Sequence, residues 1–207
     1  VIGYLDRRED AQPRYGQPAG APQNAAAVLH RGEVVLSFAK HHLPNYGVFD
    51  EFRHFVPGET LPVVRVRGVD VALAICEDLW QDGGRVPAAR AAGAGLLLSL
   101  NASPYERHKV DTRLELVRRR AREAGCTTAY LALVGAQDEL VFDGDSIVVD
   151  PDGTVLARAP QFTEECLLLD LTLPAATRRE TDSVPLPDGL RLDHRVLSSD
   201  PPPAPAS

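Results

Sequence analysis

Three groups that could do chemistry sit just past the ends of apolar runs. Lys40 follows the run ending at Phe38, Cys76 the run ending at Ile75, and Asn101 and Ser103 the run ending at Leu100. Open α/β sheets place their sites at the carboxyl ends of strands. Neighbouring strands running the same way would therefore bring a cation, a thiol and polar neutral groups to one mouth. A lone cysteine beside an apolar run is most often an inert small hydrophobe. Cys76 is set apart by Glu77 and Asp78, which follow it directly. Two carboxylates beside a thiol raise its pKa and blunt it. Such a run makes sense if a cation holds the thiolate or its reaction products, or if the acids cap the following turn. Lys40 is the candidate cation, because thiolate reactivity needs a positive neighbour.

The basic residues sharpen this reading. The chain has 20 arginines but only two lysines, Lys40 and Lys109. Where any cation would serve, the chain uses arginine; either the two lysines sit where a compact ammonium is needed and a planar fork would not fit, or their scarcity reflects only chance and a coding bias toward arginine. Cys126 and Cys166 lack a comparable setting and are expected to be structural. Other catalytic templates fail. Gly144-Asp145-Ser146-Ile147-Val148 lacks the closing glycine of a serine-hydrolase elbow. Gly93-Ala94-Gly95 lacks the third glycine of a dinucleotide loop, and no phosphate-binding G-x-x-x-x-G-K occurs. His41 and His42 are adjacent, point apart in an extended chain and make a poor metal pair, so no metal site is expected.

The elements that must position these groups alternate between hairpins and crossovers. Residues 6–24 read as a loop. Residues 26–30 and 33–38 read as strands joined across Arg31-Gly32, and 63–66 and 69–75 as strands joined across Arg67-Gly68. The arm at 69–75 is apolar nearly throughout, as for a strand buried on both faces. The connection over 40–62 is long for a compact domain, which marks it as functional. Helices are predicted over 86–92 and 111–124, the second with a stripe of Leu114, Val117, Ala121 and Ala124 and a stop at Gly125. Further strands are predicted at 96–100, 127–134, 147–149, 155–157 and 166–171. From about 183 to 207 the chain is proline-rich and reads as linker. The pattern fits a layered α/β sandwich.

The net charge of −7, from 29 acids against 22 bases, argues against nucleic acid as a partner. The one dense basic run, Arg118-Arg119-Arg120, lies on a helical pattern beside Glu115 and Glu123. No apolar run approaches the ~18 residues of a membrane span, and no secretion signal opens the chain. Three scattered cysteines are too few for a disulfide framework, which points to a reducing cytoplasm. There is no methionine, and the chain opens on Val1-Ile2-Gly3-Tyr4-Leu5, which reads like the middle of a strand. An internal piece of a longer protein is the expectation.

Lys40-His41-His42-Leu43-Pro44-Asn45-Tyr46-Gly47-Val48-Phe49-Asp50-Glu51, Ile75-Cys76-Glu77-Asp78-Leu79-Trp80 and Asn101-Ala102-Ser103-Pro104-Tyr105 resemble the nitrilase superfamily. More narrowly, they resemble the glutaminase domains of bacterial glutamine-dependent NAD synthetases. Asp138 to Gly144 and Ala159-Pro160-Gln161-Phe162 fit the same domain, and the likeness spans about residues 1–175. The resemblance implies an α/β nitrilase-type α-β-β-α sandwich that lacks its N-terminal strand and helix here. It implies a partial glutaminase domain over 1–182 and a linker over 183–207 toward an ATP- and Mg-dependent synthetase domain absent from this chain.

By the same resemblance Cys76 is the nucleophile and Lys40 the catalytic lysine. Tyr46, Ser103 and Lys109 bind glutamine, Glu51 is a supporting residue, and the backbone N–H of Glu77 joins Lys40 in holding the oxyanion. The general-base glutamate lies upstream of Val1, so the fragment alone is expected to be inactive or very weak. The implied reaction is hydrolysis of glutamine's side-chain amide, with ammonia passed on to amidate deamido-NAD. The glutaminase domain itself takes no cofactor, and the full-length enzyme is expected to be a homo-oligomer. Two alternatives stand beside this: another amidase of the superfamily, and a non-catalytic fragment that only binds or assembles.

Overall fold

The structure, a computed structural model, describes residues 1–7, 20, 22–107, 109–179, 183–198 and 200, with only the backbone of 109 and 110. Most of the loop expected over 6–24, and residues 201–207 of the proline-rich end, lie outside the described residues.

Three strands, β1 (Ile2–Arg7), β2 (Pro22–His30) and β3 (Glu33–Ala39), form an antiparallel sheet in the order β1-β2-β3. A short helix, α1 (Glu51–His54), interrupts the connection to β4 (Thr60–Val66) and β5 (Val69–Ile75). After β5 come α2 (Glu77–Trp80), α3 (Arg85–Ala91), β6 (Leu96–Asn101) and α4 (Lys109–Ala124). Then follow β7 (Thr127–Ala132), β8 (Val134–Gln137), β9 (Leu140–Asp143), β10 (Ile147–Val149), β11 (Val155–Arg158) and β12 (Arg191–Val196). The larger sheet has seven strands in the order β11-β10-β7-β6-β5-β4-β12, with β5, β6 and β7 parallel. The pair β8-β9 stands apart as a hairpin.

The two Arg-Gly turns form as the sequence indicates. Arg31 and Gly32, and Arg67 and Gly68, all have positive φ, the conformation that lets a two-residue turn follow the twist of its strands. Alternation along β4 and β5 then builds two cores. Leu61, Val63, Ala72 and Ala74 face the helices, where they pack with Val86, Ala88, Ala89, Val117 and Ala121. Val64, Leu73 and Ile75 face the three-stranded sheet and meet Ala26, Val28, Leu36 and Phe38. The result is helix, sheet, sheet, which makes up three of the four layers of the expected sandwich. The stripe on α4 buries as predicted, and Gly125, at φ 66°, closes the helix by donating to Ala121 O at 2.9 Å.

Three expectations are corrected. The strand predicted over 127–134 breaks at Leu133, and its end turns into β8. Residues 166–171 form no strand: none of the described residues pairs with them, and Leu167, Leu168 and Leu169 are exposed, Leu168 at 87%. High β-propensity cannot substitute for a ladder partner. Finally, 183–207 is not all linker. Residues 191–196 run parallel to β4 as the edge strand β12. Composition hides this strand, because its anchors are polar. His194 Nε2 lies 3.0 Å from Asp70 Oδ1 on β5, and Asp70 also takes both arms of Arg65 at 2.8 Å.

The basic run of α4 is spent internally. Arg118 pairs with Glu115, and Arg120 is buried against the carbonyls of Leu79, Trp80 and Gln81. Among the described residues, no helix is long and apolar enough to cross a membrane.

Asp70 carries a pH prediction. Burial pushes its pKa up, but the hydrogen bonds from Arg65 and His194 outweigh this and hold it below the usual carboxylate value. Its contribution is therefore complete above the unfolded value of ~3.9 and is lost as pH falls through the lower folded value. Asp70→Asn should cost about 3 kcal/mol at neutral pH by removing the buried negative charge that Arg65 and His194 meet. Denaturant melts at pH 7 and pH 3 should show the gap between variant and parent shrinking in acid.

Candidate functional site

Cys76 stands where β5 turns sharply into α2, at φ 43° and ψ −96°. A side chain at this φ is strained by ~1–3 kcal/mol, and the turn throws the thiol out of the sheet at the end of the strand. The surroundings hold it there. Cys76 N donates to Leu100 O at 2.9 Å, and Leu79 N donates to Cys76 O at 3.0 Å. Nothing in the sequence signals this strain, because cysteine is not a residue expected at positive φ.

The thiol lies between two cavities. One, of about 540 Å³, is lined by Lys40, Glu51, Asn24, Asn101 and apolar side chains of β2, β5, β6 and β7. The other, of about 490 Å³, is lined by Tyr46, Phe49, Glu77, Trp80, Ser103 and Arg107. Cys76 borders both. The structure thus brings Lys40 into one cavity bordered by Cys76, and Tyr46 and Ser103 into the other. The Lys109 side chain lies outside the described residues.

Lys40 is buried at 2% exposure just after β3, and its ammonium binds both oxygens of Glu51 at 2.9 and 3.0 Å. Glu51 is delivered by α1, in the long connection that the sequence marks as functional. Asn24 adds a hydrogen bond to Glu51 at 3.4 Å. On the other side, the Tyr46 hydroxyl donates to Glu77 at 2.9 and 3.0 Å, and Gln81 donates to the same carboxylate at 2.7 Å.

Burial is the main force on the thiol and pushes Cys76 up to about 11; Lys40 pulls it down, while Glu77, Glu51 and Asp78 push it further up. The flanking acids therefore act in the direction expected from sequence, but desolvation leads. At rest the sulfur carries its proton. Cys126 is buried, and burial pushes its thiol up to about 12. Cys166 is exposed, in the stretch expected to be a strand, and so is not the structural cysteine anticipated.

Sequence reasoning missed Arg85 and Arg120. Arg85 is fully buried beneath the Cys76 turn and bonds Asp78 at 2.6 Å. Arg120 closes the end of α2. Each lies on a buried helix face, Arg85 with Val86, Ala88 and Ala89 and Arg120 with Arg113, Val117 and Ala121, and nothing in the sequence marks either as buried.

The Carbon-nitrogen hydrolase family matches residues 1–180. The glutamine-dependent NAD(+) synthetase of Aquifex aeolicus is 46% identical over 156 residues, which cover 75% of this chain and 28% of that protein. The chain therefore spans under a third of that relative's length. Among solved structures, the glutamine-dependent NAD+ synthetase of Acinetobacter baumannii, in complex with ADP, superposes at a TM-score of 0.70. It is 36% identical, over 79% of this chain and 29% of that one. A mutant amidase from Nesterenkonia sp. carries the acetamide moiety of fluoroacetamide on its active-site cysteine. It superposes at 0.61 with 33% identity, over 76% of this chain and 55% of that one.

Two measurements check this geometry. Cys76→Gly should be more stable than Cys76→Ala by about 1 kcal/mol in thermal melts, the reverse of the order inside a strand or helix, because glycine relieves the positive φ. Iodoacetamide at neutral pH should modify exposed Cys166 before Cys76. The rate at Cys76 should climb about tenfold per pH unit from pH 7 to 10 as its thiolate population grows, read by peptide mass spectrometry.

Proposed function

The chain belongs to the carbon-nitrogen hydrolase family, and we propose that within it the protein hydrolyses the side-chain amide of glutamine through Cys76. The supporting observation is the placement of that thiol. It is held out at a strained strand-to-helix turn, bordering one cavity that holds a buried ammonium and a second, polar-rimmed cavity. The names of the synthetase relatives supply the choice of amide.

In this reading glutamine's carboxamide enters between the cavities. Tyr46, Ser103 and Lys109 hold the rest of the molecule. The sulfur attacks the carbonyl carbon as the thiol proton leaves to a base. The resulting oxyanion is met by the Lys40 ammonium and the backbone N–H of Glu77; a single donor of this kind contributes ~10²–10³ in rate. The carbon–nitrogen bond breaks, ammonia departs with the transferred proton, and water then cleaves the thioester to glutamate and free thiol.

By the resemblance to the nitrilase superfamily, the base is proposed to be a glutamate outside residues 1–207. The three carboxylates that bear on Cys76 are committed elsewhere: Glu51 to Lys40 and Asn24, Glu77 to Tyr46 and Gln81, Asp78 to Arg85 and backbone. Without that base the chain loses a contribution of ~10²–10⁴. The ammonia is proposed to amidate deamido-NAD in an ATP- and Mg-dependent synthetase domain of the same polypeptide. Activity on a smaller amide is the second reading, favoured by the likeness to the Nesterenkonia amidase.

The deciding assay is glutamate release from glutamine by the full-length protein, against ammonia release from short aliphatic amides. Cys76→Ala should abolish it. Lys40→Arg should lower kcat at least ~10²-fold although charge is kept, because the guanidinium cannot deliver a compact charge to one oxygen. Near-parental activity in Lys40→Arg would make Lys40 structural.

A further inference from the structure

Asp78 and Arg85 are both fully buried and joined at 2.6 Å, below the Cys76 turn and outside the chemistry just described. Their remaining bonds share one destination. Asp78 Oδ1 accepts the backbone N–H of His41 at 3.0 Å and of His42 at 2.8 Å. Asp78 Oδ2 accepts the N–H of Ile75 at 3.0 Å beside Arg85. Arg85 sends Nη2 to Ala39 O at 2.5 Å and Nε to Thr60 O at 3.0 Å. The pair thus grips the chain on both sides of Lys40 and on the amino side of Cys76. Gly58 closes the same knot. Its N–H donates to Lys40 O at 2.8 Å, and a Cβ there would collide with Ala39 O and crowd Arg85.

Two buried charges give little net stability over apolar side chains of similar size. They do give direction, because each bond fixes a backbone atom next to a reacting group. We propose that the Asp78–Arg85 pair is a positioning element that sets the Lys40 ammonium against the Cys76 sulfur. This deepens the glutaminase reading and rests on it. Neither residue touches substrate; both act through Lys40 and Cys76.

The test uses the full-length protein, with sites counted by a chloroketone analogue of glutamine that alkylates Cys76. Arg85→Lys keeps the buried charges balanced but cannot hold Asp78, Ala39 O and Thr60 O together. Its kcat per labelled site should fall ~10²-fold, the loss expected for a misplacement of about 1 Å. KM for glutamine should change less than about threefold, because the contacts proposed for Tyr46 and Ser103 involve neither member of the pair. The double variant Asp78→Asn/Arg85→Met removes both charges, which favours folding, and should stay equally slow per site. Parental kcat per labelled site in either folded variant overturns the proposal, as does a loss seen only as fewer labelled sites. If the parent protein itself releases no glutamate or takes no label at Cys76, the glutaminase reading fails, and that outcome is visible before any variant is made.

Discussion

Four donors converge on the Asp78 carboxylate: Arg85, and the backbone N–H groups of Ile75, His41 and His42. A buried carboxylate is tolerated only when it is paired and hydrogen-bonded, and burial alone would raise its pKa. Here Arg85 and the backbone donors outweigh burial and hold it below the usual range. Much else near the thiol depends on this one charge. It joins the end of β3 to the end of β5, which belong to different sheets. It also anchors the turn in which Cys76 takes its strained backbone conformation. Strain of that kind persists only where neighbouring structure over-determines it, and the bonds around Cys76 do so from both sides.

The electrostatics of the thiol are a contest that burial wins. Lys40 is the favourable charge, yet its ammonium is already shared with Glu51, and three carboxylates oppose it. The resting sulfur is therefore a protonated, half-buried group beside a fixed positive charge. In the proposed reaction, this arrangement acts when negative charge develops on a bound carbonyl oxygen. A preorganised cation in a dry site acts most strongly there, because it need not reorient as the charge appears.

What the sequence made legible was local. The Arg-Gly turns, the stripe on α4 and the doubly buried β5 follow from periodicity and turn chemistry, each decided within a few residues. The placement of Lys40, Cys76 and Ser103 at strand ends was readable for the same reason. What stayed hidden was long-range and polar. Arg85 reaches Ala39 across 46 positions, and His194 reaches Asp70 across 124. An arginine in a short alanine-rich helix carries no mark of the carbonyl it will meet. A strand such as β12, anchored by a histidine, looks like solvent-exposed chain. The run at 166–171 shows the converse: apolar residues announce a strand, but only a partner makes one.

The preference for arginine has a consequence for how the molecule meets salt. Its charged pairs range from fully buried, through pairs with one partner buried such as Arg120–Asp82, to exposed. Asp78–Arg85 and Arg113–Asp143 have both partners within 1% of full burial, and Arg65–Asp70 is nearly so. Arg53–Asp50 and Arg118–Glu115 lie at the surface. Mobile ions screen exposed charges over a Debye length of ~8 Å at physiological ionic strength, and reach buried ones far less. Rising ionic strength will therefore loosen the outer pairs while the buried pairs keep their strength. The frame around the thiol is insulated from its ionic surroundings, whereas the outer surface is free to respond to them.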